Sequence, residues 1–160
     1  MLIDEEAAMA ARDETSDSTF TPEERAAMRE HAAEVTASRK RGTSKAEKAA
    51  LAAQAVVDKI AAMPEPDRGL AERIHRIALD VAPDLAPRLW YGMPAYAKDG
   101  AVVFFFQDAA KFGARYATLG FQDPAALDDG TFWPTSFAVT PAFSEADEQT
   151  VAELVRRATA

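Results

Sequence analysis

The sequence predicts an α+β protein, in which an antiparallel sheet of about four to five strands packs with helices in two layers and follows N-terminal helices. Of the fourteen Phe, Trp and Tyr residues, only Phe20 precedes Trp90. The apolar period also changes near Arg88, from the 3.6-residue repeat of a helix to the two-residue repeat of a strand. The first half of the chain is therefore predicted to be helical, and the second half to carry the strands.

Three segments are predicted along the 160 residues. Residues 1–20 form an acidic flexible tail, residues 21–43 a helical extension, and residues 44–160 an α+β domain. The tail carries six carboxylates against the single Arg12, a composition that buries too little apolar surface to order the chain. The remaining length suffices for one domain with a substantial core.

Capping signals mark where the first two helices begin. Thr21-Pro22-Glu23-Glu24 combines an N-cap threonine, a proline in the first turn and a capping-box glutamate. This helix is expected to run to about Arg41. Ser44 and Glu47 repeat the capping box and open a second helix, which should extend to Met63 before two prolines break it.

Two further helices show apolar stripes at helical spacing. The third is predicted over residues 67–82, and the last follows the N-cap Ser144. The residues of the two stripes are Leu70, Ile74, Ile77 and Val81 in the third helix, and Val151, Leu154, Val155 and Ala158 in the last.

The second half of the chain contains the strand signals. Residues 94–97 and 101–107 flank Lys98-Asp99-Gly100, and Asp-Gly between two apolar segments strongly indicates a hairpin. Further strands are predicted at residues 115–121 and 136–140. A short turn around residues 110–113 would join the hairpin to the first of these.

One predicted strand is apolar on both faces. Val102, Phe104 and Phe106 should point to one side, and Val103 and Phe105 to the other. A strand of this kind is central and covered on both faces. The third and last helices could cover one face. We expect the N-terminal helices to wrap the other, or a homodimer or another protein partner to cover it.

Composition excludes several classes of function. The chain has no cysteine, which excludes disulfides, thiolate catalysis and cysteine-ligated metals. The net charge of −8 disfavours nucleic acid as a partner. No apolar run approaches the roughly 18 residues of a membrane span, and the start is acidic where a secretory signal is basic, so a cytoplasmic protein is expected. No nucleophile or phosphate-loop motif is present, and no catalytic residue is predicted.

The two histidines each lie three residues from a glutamate, in Glu72-x-x-His75 and His31-x-x-Glu34. Glu-x-x-His is the spacing used in di-iron helical bundles, which also need a second such pair and two further glutamates facing the core. Glu72 and His75 lie off the apolar stripe of their helix. We therefore expect them to face solvent rather than a metal.

The segment Trp90-Tyr91-Gly92-Met93-Pro94-Ala95-Tyr96 is the most unusual local feature. A glycine and a proline bracket its methionine, so the backbone should bend there. Aromatic rings with polar tips at a bend suit a small-ligand or enzymatic pocket. The alternative is that the rings fill the junction between helices and sheet. The nearby cations would then only keep an edge strand from pairing with another chain. The candidate ligand-binding residues are Trp90, Tyr91, Met93, Tyr96, Lys111 and Arg115.

The same segment opens a series of motifs that resembles the YdhG-like family, a group of small bacterial domains of unknown function. The resemblance covers roughly residue 50 to the C-terminus. Its motifs are A-A-M-P-E-P-D-R at 61–68, L-W-Y-G-M-P-A-Y at 89–96, V-V-F-F-F-Q at 102–107, K-F at 111–112, R-Y-A-T-L-G-F at 115–121, and L-D-D-G with W-P between 127 and 134.

The resemblance implies a two-layer domain similar to frataxin in outline, and a role as an intracellular iron chaperone proposed for a few members. Frataxin-type proteins bind iron weakly through exposed carboxylates. Carboxylates in a turn or in the first turn of a helix also occur without a metal, but together they could form a weak surface for hard cations. The candidate metal residues are Asp123, Asp128, Asp129, Glu145, Asp147 and Glu148.

The leading hypothesis is a cytoplasmic binding domain without enzymatic activity that handles iron through these surface carboxylates, with no other cofactor. One alternative is a small-ligand or enzymatic pocket at the Trp90–Tyr96 bend. Another is a protein-interaction module that uses the N-terminal helices.

Overall fold

A five-stranded antiparallel sheet forms the centre of the protein, and its strands follow one another in chain order. The structure is a computed structural model that describes residues 19–39 and 44–160. The predicted tail therefore lies outside the described residues, except for its last two positions. The strands are β1 (Ala86–Trp90), β2 (Met93–Lys98), β3 (Ala101–Gln107), β4 (Ala117–Phe121) and β5 (Ser136–Val139).

Five helices accompany the sheet in the described residues, which confirms the predicted α+β class. Thr21 and Ser44 cap their helices, and both predicted capping boxes are present. The predicted end of the first helix, near Arg41, lies outside the described residues. The helices are α1 (Pro22–Ser38), α2 (Lys45–Ala61), α3 (Asp67–Val81), α4 (Ala109–Phe112) and α5 (Glu145–Thr159).

Two elements differ from the prediction. β1 was not predicted, because Pro83 and Pro87 favour a connection over a strand. Pro87 fits because β1 is an edge strand, where a missing backbone donor costs no central hydrogen bond. The turn predicted around residues 110–113 is the short helix α4, which Gly113 ends in the left-handed conformation at φ 60°.

One face of the sheet holds the main core, to which α2, α3 and α5 all contribute. Tyr96, Phe104 and Phe121 are opposite one another on β2, β3 and β4. The Tyr96 and Phe104 rings stack with their centroids 4.7 Å apart, and the Phe104 and Phe121 centroids are 5.5 Å apart. These three side chains are buried, so the aromatic sheet core predicted from the sequence is present.

A β-bulge changes which side chains of β3 share a face. The register between β2 and β3 shifts between Tyr96 and Ala97, and an extra residue of this kind breaks strict alternation. Val103 joins Phe104 and Phe106 in the main core, whereas Val102 does not belong to that core. The predicted grouping of Val102 with the two phenylalanines is therefore wrong.

The opposite face of the sheet is covered partly by its own side chains. Ala95, Phe105 and Gly120 are aligned across three strands, and a Cβ atom at Gly120 would overlap the Phe105 ring. Trp90 lies beside that ring with its centroid 5.3 Å away. α1 packs against β1 at one end of this face. A helix of the N-terminal extension therefore contacts the sheet, as the expectation that the N-terminal helices wrap this face requires.

The contact between Phe105 and Gly120 should be measurable as a coupling. We predict that Gly120→Ala lowers the free energy of unfolding by about 1–3 kcal/mol, because the added methyl group overpacks the site. In a Phe105→Ala background the same substitution should cost little. Urea unfolding of both single variants and the double variant measures the coupling, and equal costs of Gly120→Ala in the two backgrounds would contradict the predicted overlap.

Candidate functional site

The connection between β1 and β2 is a two-residue turn formed by Tyr91 and Gly92. Both residues have positive φ, 52° and 73°, as a tight hairpin turn of the primed type requires. The next hairpin repeats this geometry with Asp99 and Gly100, at 51° and 82°. A bulky residue at positive φ is uncommon, so the Tyr91 turn needs partners that hold it in place.

Glu34 of α1 provides those partners. Its Oε2 accepts a hydrogen bond from Tyr91 N at 3.1 Å, and its Oε1 accepts one from Gly92 N at 2.9 Å. Successive backbone N–H groups of a turn form a concavity that binds anions. The carboxylate of Glu34 therefore occupies an anion-binding position on the sheet domain, with one oxygen on each amide.

His31 of α1 completes the contact with the turn. Its ring stacks on Tyr91 with the centroids 4.0 Å apart and the planes at 10°. Its Nδ1 lies 3.3 Å from Oε2 of Glu34. The i, i+3 spacing of His31 and Glu34 places both side chains on the same side of α1, and both use that position to contact one turn.

Lys111 of α4 adds a positive charge beside the turn. Its Nζ donates to Tyr91 O at 3.3 Å and forms an ion pair with Glu30 of α1. Lys59 of α2 approaches the other oxygen of Glu30 at 3.4 Å. A Cβ atom at Gly92 would overlap the Glu30–Lys111 pair, so a side chain at this position would push the ion pair away from the turn.

Two buried carboxyl groups lie behind Lys111. Asp67 Oδ2 accepts a hydrogen bond from Ala110 N at 2.9 Å. Asp108 has a buried Oδ1 that lacks a hydrogen-bond partner among the described residues. Burial raises the pKa of Asp108, the neighbouring Asp67 adds to the rise, and Lys111 opposes it. The cluster at this end of the sheet therefore combines buried acids with partly buried cations.

An open apolar groove of about 280 Å³ lies on the other side of Tyr91, between α1 and the sheet. Phe20 and Met28 form its outer wall and are 43% and 45% exposed. Met93 is buried at its base. The lining residues are Phe20, Glu24, Ala27, Met28, Tyr91, Met93, Gln107 and Phe112.

The candidate ligand-binding residues fall into three places. Trp90, Tyr91, Met93 and Lys111 lie at or beside the β1–β2 turn. Tyr96 lies on the opposite face of the sheet, in the main core. Arg115 is exposed, with its guanidinium over the Tyr116 ring at 5.3 Å.

Tyr96 belongs to a second polar contact, beneath a groove of about 290 Å³ between α2 and α3. Its hydroxyl lies 2.8 Å from His75 Nδ1. His75 lines the groove together with Glu72, Arg76 and Asp80. Burial lowers the pKa of His75 and raises that of Tyr96. The two Glu–His pairs of the sequence thus lie at different sites, His75 with Glu72 here and His31 with Glu34 at the turn.

Two of the candidate metal residues have other partners. Asp147 accepts hydrogen bonds from the backbone and hydroxyl of Ser144, which lower its pKa. Glu148 pairs with Arg73 at 2.6 Å. Asp123, Asp128, Asp129 and Glu145 are exposed. Across the described part of the chain, no three His, Asp or Glu side chains group closely enough to hold a metal ion.

Sequence reasoning missed most of the polar cluster. Glu30, Lys59, Asp67 and Asp108 were not candidates, and His31 and Glu34 were considered only for a metal. Tyr91 and Glu34 are 57 positions apart, so no local pattern joins them. The available signal was the thin apolar stripe of α1, which consists of Met28, Ala32 and Val35. A helix that buries so little apolar surface needs other contacts to hold it.

No protein-family model matches the chain, and neither a curated protein nor a solved structure matches it significantly. The resemblance to the YdhG-like family stays a prediction. Within residues 19–39 and 44–160, no helix combines the length and apolar character that crossing a membrane requires.

The two hairpin turns provide a matched test of the contact above Gly92. Gly92→Ala and Gly100→Ala both place a methyl group at positive φ, but nothing lies within 4 Å of the Cβ position at Gly100. We predict that Gly92→Ala lowers the free energy of unfolding by up to about 1 kcal/mol more than Gly100→Ala, because the methyl group displaces the partly exposed Glu30–Lys111 ion pair. It should also speed amide hydrogen exchange in α1. Equal destabilisation with unchanged exchange would contradict this arrangement.

His75 should make stability depend on pH. Burial lowers the pKa of His75 in the folded protein. In the unfolded chain the pKa of a histidine is about 6.5, so the unfolded chain binds the proton more readily. The free energy of unfolding should therefore fall as pH drops below about 6.5, and His75→Gln should remove this loss. Urea unfolding across the range measures it. His31→Gln is the control. The prediction would be contradicted if the free energy of unfolding of His75→Gln fell with pH as steeply as that of the unmodified chain.

Proposed function

We propose that this protein is a binding protein without enzymatic activity, whose site is the groove between α1 and the β1–β2 turn, and whose ligand is a small apolar molecule. The groove itself is the observation that supports the proposal. A ligand site at the Trp90–Tyr96 bend requires a cavity open to solvent, and the groove lined by Tyr91 and Met93 supports the proposal in this respect.

The lining of the groove favours apolar contact. Phe20 and Met28 each leave more than two-fifths of their surface exposed, although both face a concavity. Concave sites with a mainly apolar lining and few polar groups are typical of small-ligand binding. Methionine side chains adapt their shape to the molecule that they contact, and the groove contains two. Gln107 and Glu24 can orient a polar group of the ligand.

The charged residues beside the groove support binding rather than catalysis. Glu30 is paired with Lys111 and Lys59, and Glu34 accepts two backbone hydrogen bonds. Groups occupied in this way hold the wall of the groove in place. An acid or base that acts on a ligand must be free to exchange its proton with it.

Iron handling by surface carboxylates remains a separate prediction, because it rests on the family resemblance alone. A protein-interaction role of the N-terminal helices also stays a prediction. α1, which lies against the sheet, forms one wall of the groove. A partner that displaced α1 would therefore open the groove as well.

The methionine methyl groups report directly on the groove. We predict that indole, used as a probe, shifts the ¹³C-methyl signals of Met28 and Met93 in a saturable way. Met63, which is buried in the main core, should not respond. Two-dimensional NMR during an indole titration measures all three signals in one sample.

A matched pair of variants tests the location. Met28→Glu should weaken indole binding by about tenfold or more, because a charge replaces apolar contact worth at least about 1.4 kcal/mol. Leu51→Glu places the same charge on another exposed apolar position, 66% exposed, outside the groove, and should leave binding unchanged. Equal shifts at Met28, Met93 and Met63, or no shift at all, would refute the proposal.

A further inference from the structure

In the polar contacts between α1 and the turn region, the donors and the acceptors lie on different sides. The sheet domain contributes donors and cations, namely the amides of Tyr91 and Gly92 and the ammonium groups of Lys111 and Lys59. α1 contributes the acceptors, Glu30 and Glu34. Without α1, the sheet domain would present two convergent N–H groups with a cation beside them.

α1 has few apolar contacts to hold it on the sheet. Ala27 is its only buried residue among those described, whereas six residues of α3 are buried. His31 stacks on Tyr91, and Glu30 and Glu34 add polar contacts with the turn and with Lys111. Contacts of this kind, partly open to solvent, weaken with ionic strength and are open to competition from other anions.

We infer that the Tyr91–Gly92 turn is a carboxylate-binding site, which Glu34 occupies within the chain and which the carboxylate of another molecule takes in its place. The ligand class is a small carboxylic acid. This inference does not rest on the proposed function, because it concerns the backbone amides of the turn and the carboxylate of Glu34, and uses no apolar contact of the groove.

The geometry favours a carboxylate over other anions. Each oxygen of Glu34 meets a different amide, at 3.1 and 2.9 Å, so the two donors are spaced for a planar group with two oxygens. Gly92 has no side chain, which lets that group approach the backbone.

The inference is tested on the full chain with Glu34→Ala, which vacates the site. Acetate is the probe, and sodium chloride at equal ionic strength is the reference. Acetate at millimolar concentrations should shift the amide proton signals of Tyr91 and Gly92 downfield in a saturable way. The unmodified chain should respond at least about tenfold more weakly, because Glu34 competes at high effective concentration.

Two further variants separate the site from general effects. Glu34→Gln keeps the shape of the side chain and should bind acetate with intermediate affinity. Glu47→Ala removes a carboxylate that also accepts a backbone hydrogen bond, from Ser44, and should give no response at the turn. Adding Lys111→Met to Glu34→Ala should weaken acetate binding several-fold, because the nearby cation is lost.

The outcomes that overturn the inference are distinct. Shifts at Tyr91 and Gly92 that are no larger in Glu34→Ala and Glu34→Gln than in the unmodified chain would exclude an anion site. Saturation by inorganic phosphate but not by acetate would exclude the carboxylate assignment. The indole titration reads the methyl groups of the groove instead, so either proposal can fail without the other.

Discussion

The two hydrogen bonds from the Tyr91–Gly92 turn to Glu34 determine where α1 lies, and the rest of the candidate site depends on that position. A tyrosine at positive φ costs about 1–2 kcal/mol, and a hydrogen bond to a charged group contributes about 1.5–3 kcal/mol. The two bonds therefore more than offset the strain of the turn. They also set the position of α1, which forms one wall of the apolar groove and carries Glu30 to Lys111.

The comparison of the two hairpins shows that the β1–β2 turn does more than reverse the chain. Asp99 and Gly100 make the same turn with a residue that tolerates positive φ because its short side chain bonds locally. Tyr91 lacks that ability and obtains its support from His31 and Glu34. A turn whose stability depends on a distant helix links the position of that helix to the conformation of the hairpin.

The predictable parts of the structure are the local ones. Capping boxes at Thr21 and Ser44 and the Asp99–Gly100 hairpin each depend on residues within a few positions, and the sequence alone located them. The β-bulge at β3 depends on how two strands pair, so alternation alone assigned Val102 to the wrong face. The cluster around Glu34 joins positions nearly 60 residues apart, and no periodicity carries that information. β1 could not be predicted because of Pro87, since a proline is compatible with either a connection or an edge strand.

The two faces of the sheet are stabilised by different forces, and this difference has a functional consequence. The main core buries Tyr96, Phe104 and Phe106 beneath three helices, so opening it would expose a large apolar area. The other face holds the half-buried Phe105 and Trp90, and α1, which packs near them, has one buried residue among those described, Ala27. Separating α1 would therefore cost far less than opening the core, and the same movement would expose Met93 and the turn amides together. Under the two proposals, ligand binding in the groove and at the turn would therefore be linked through one helix, since each depends on where α1 lies.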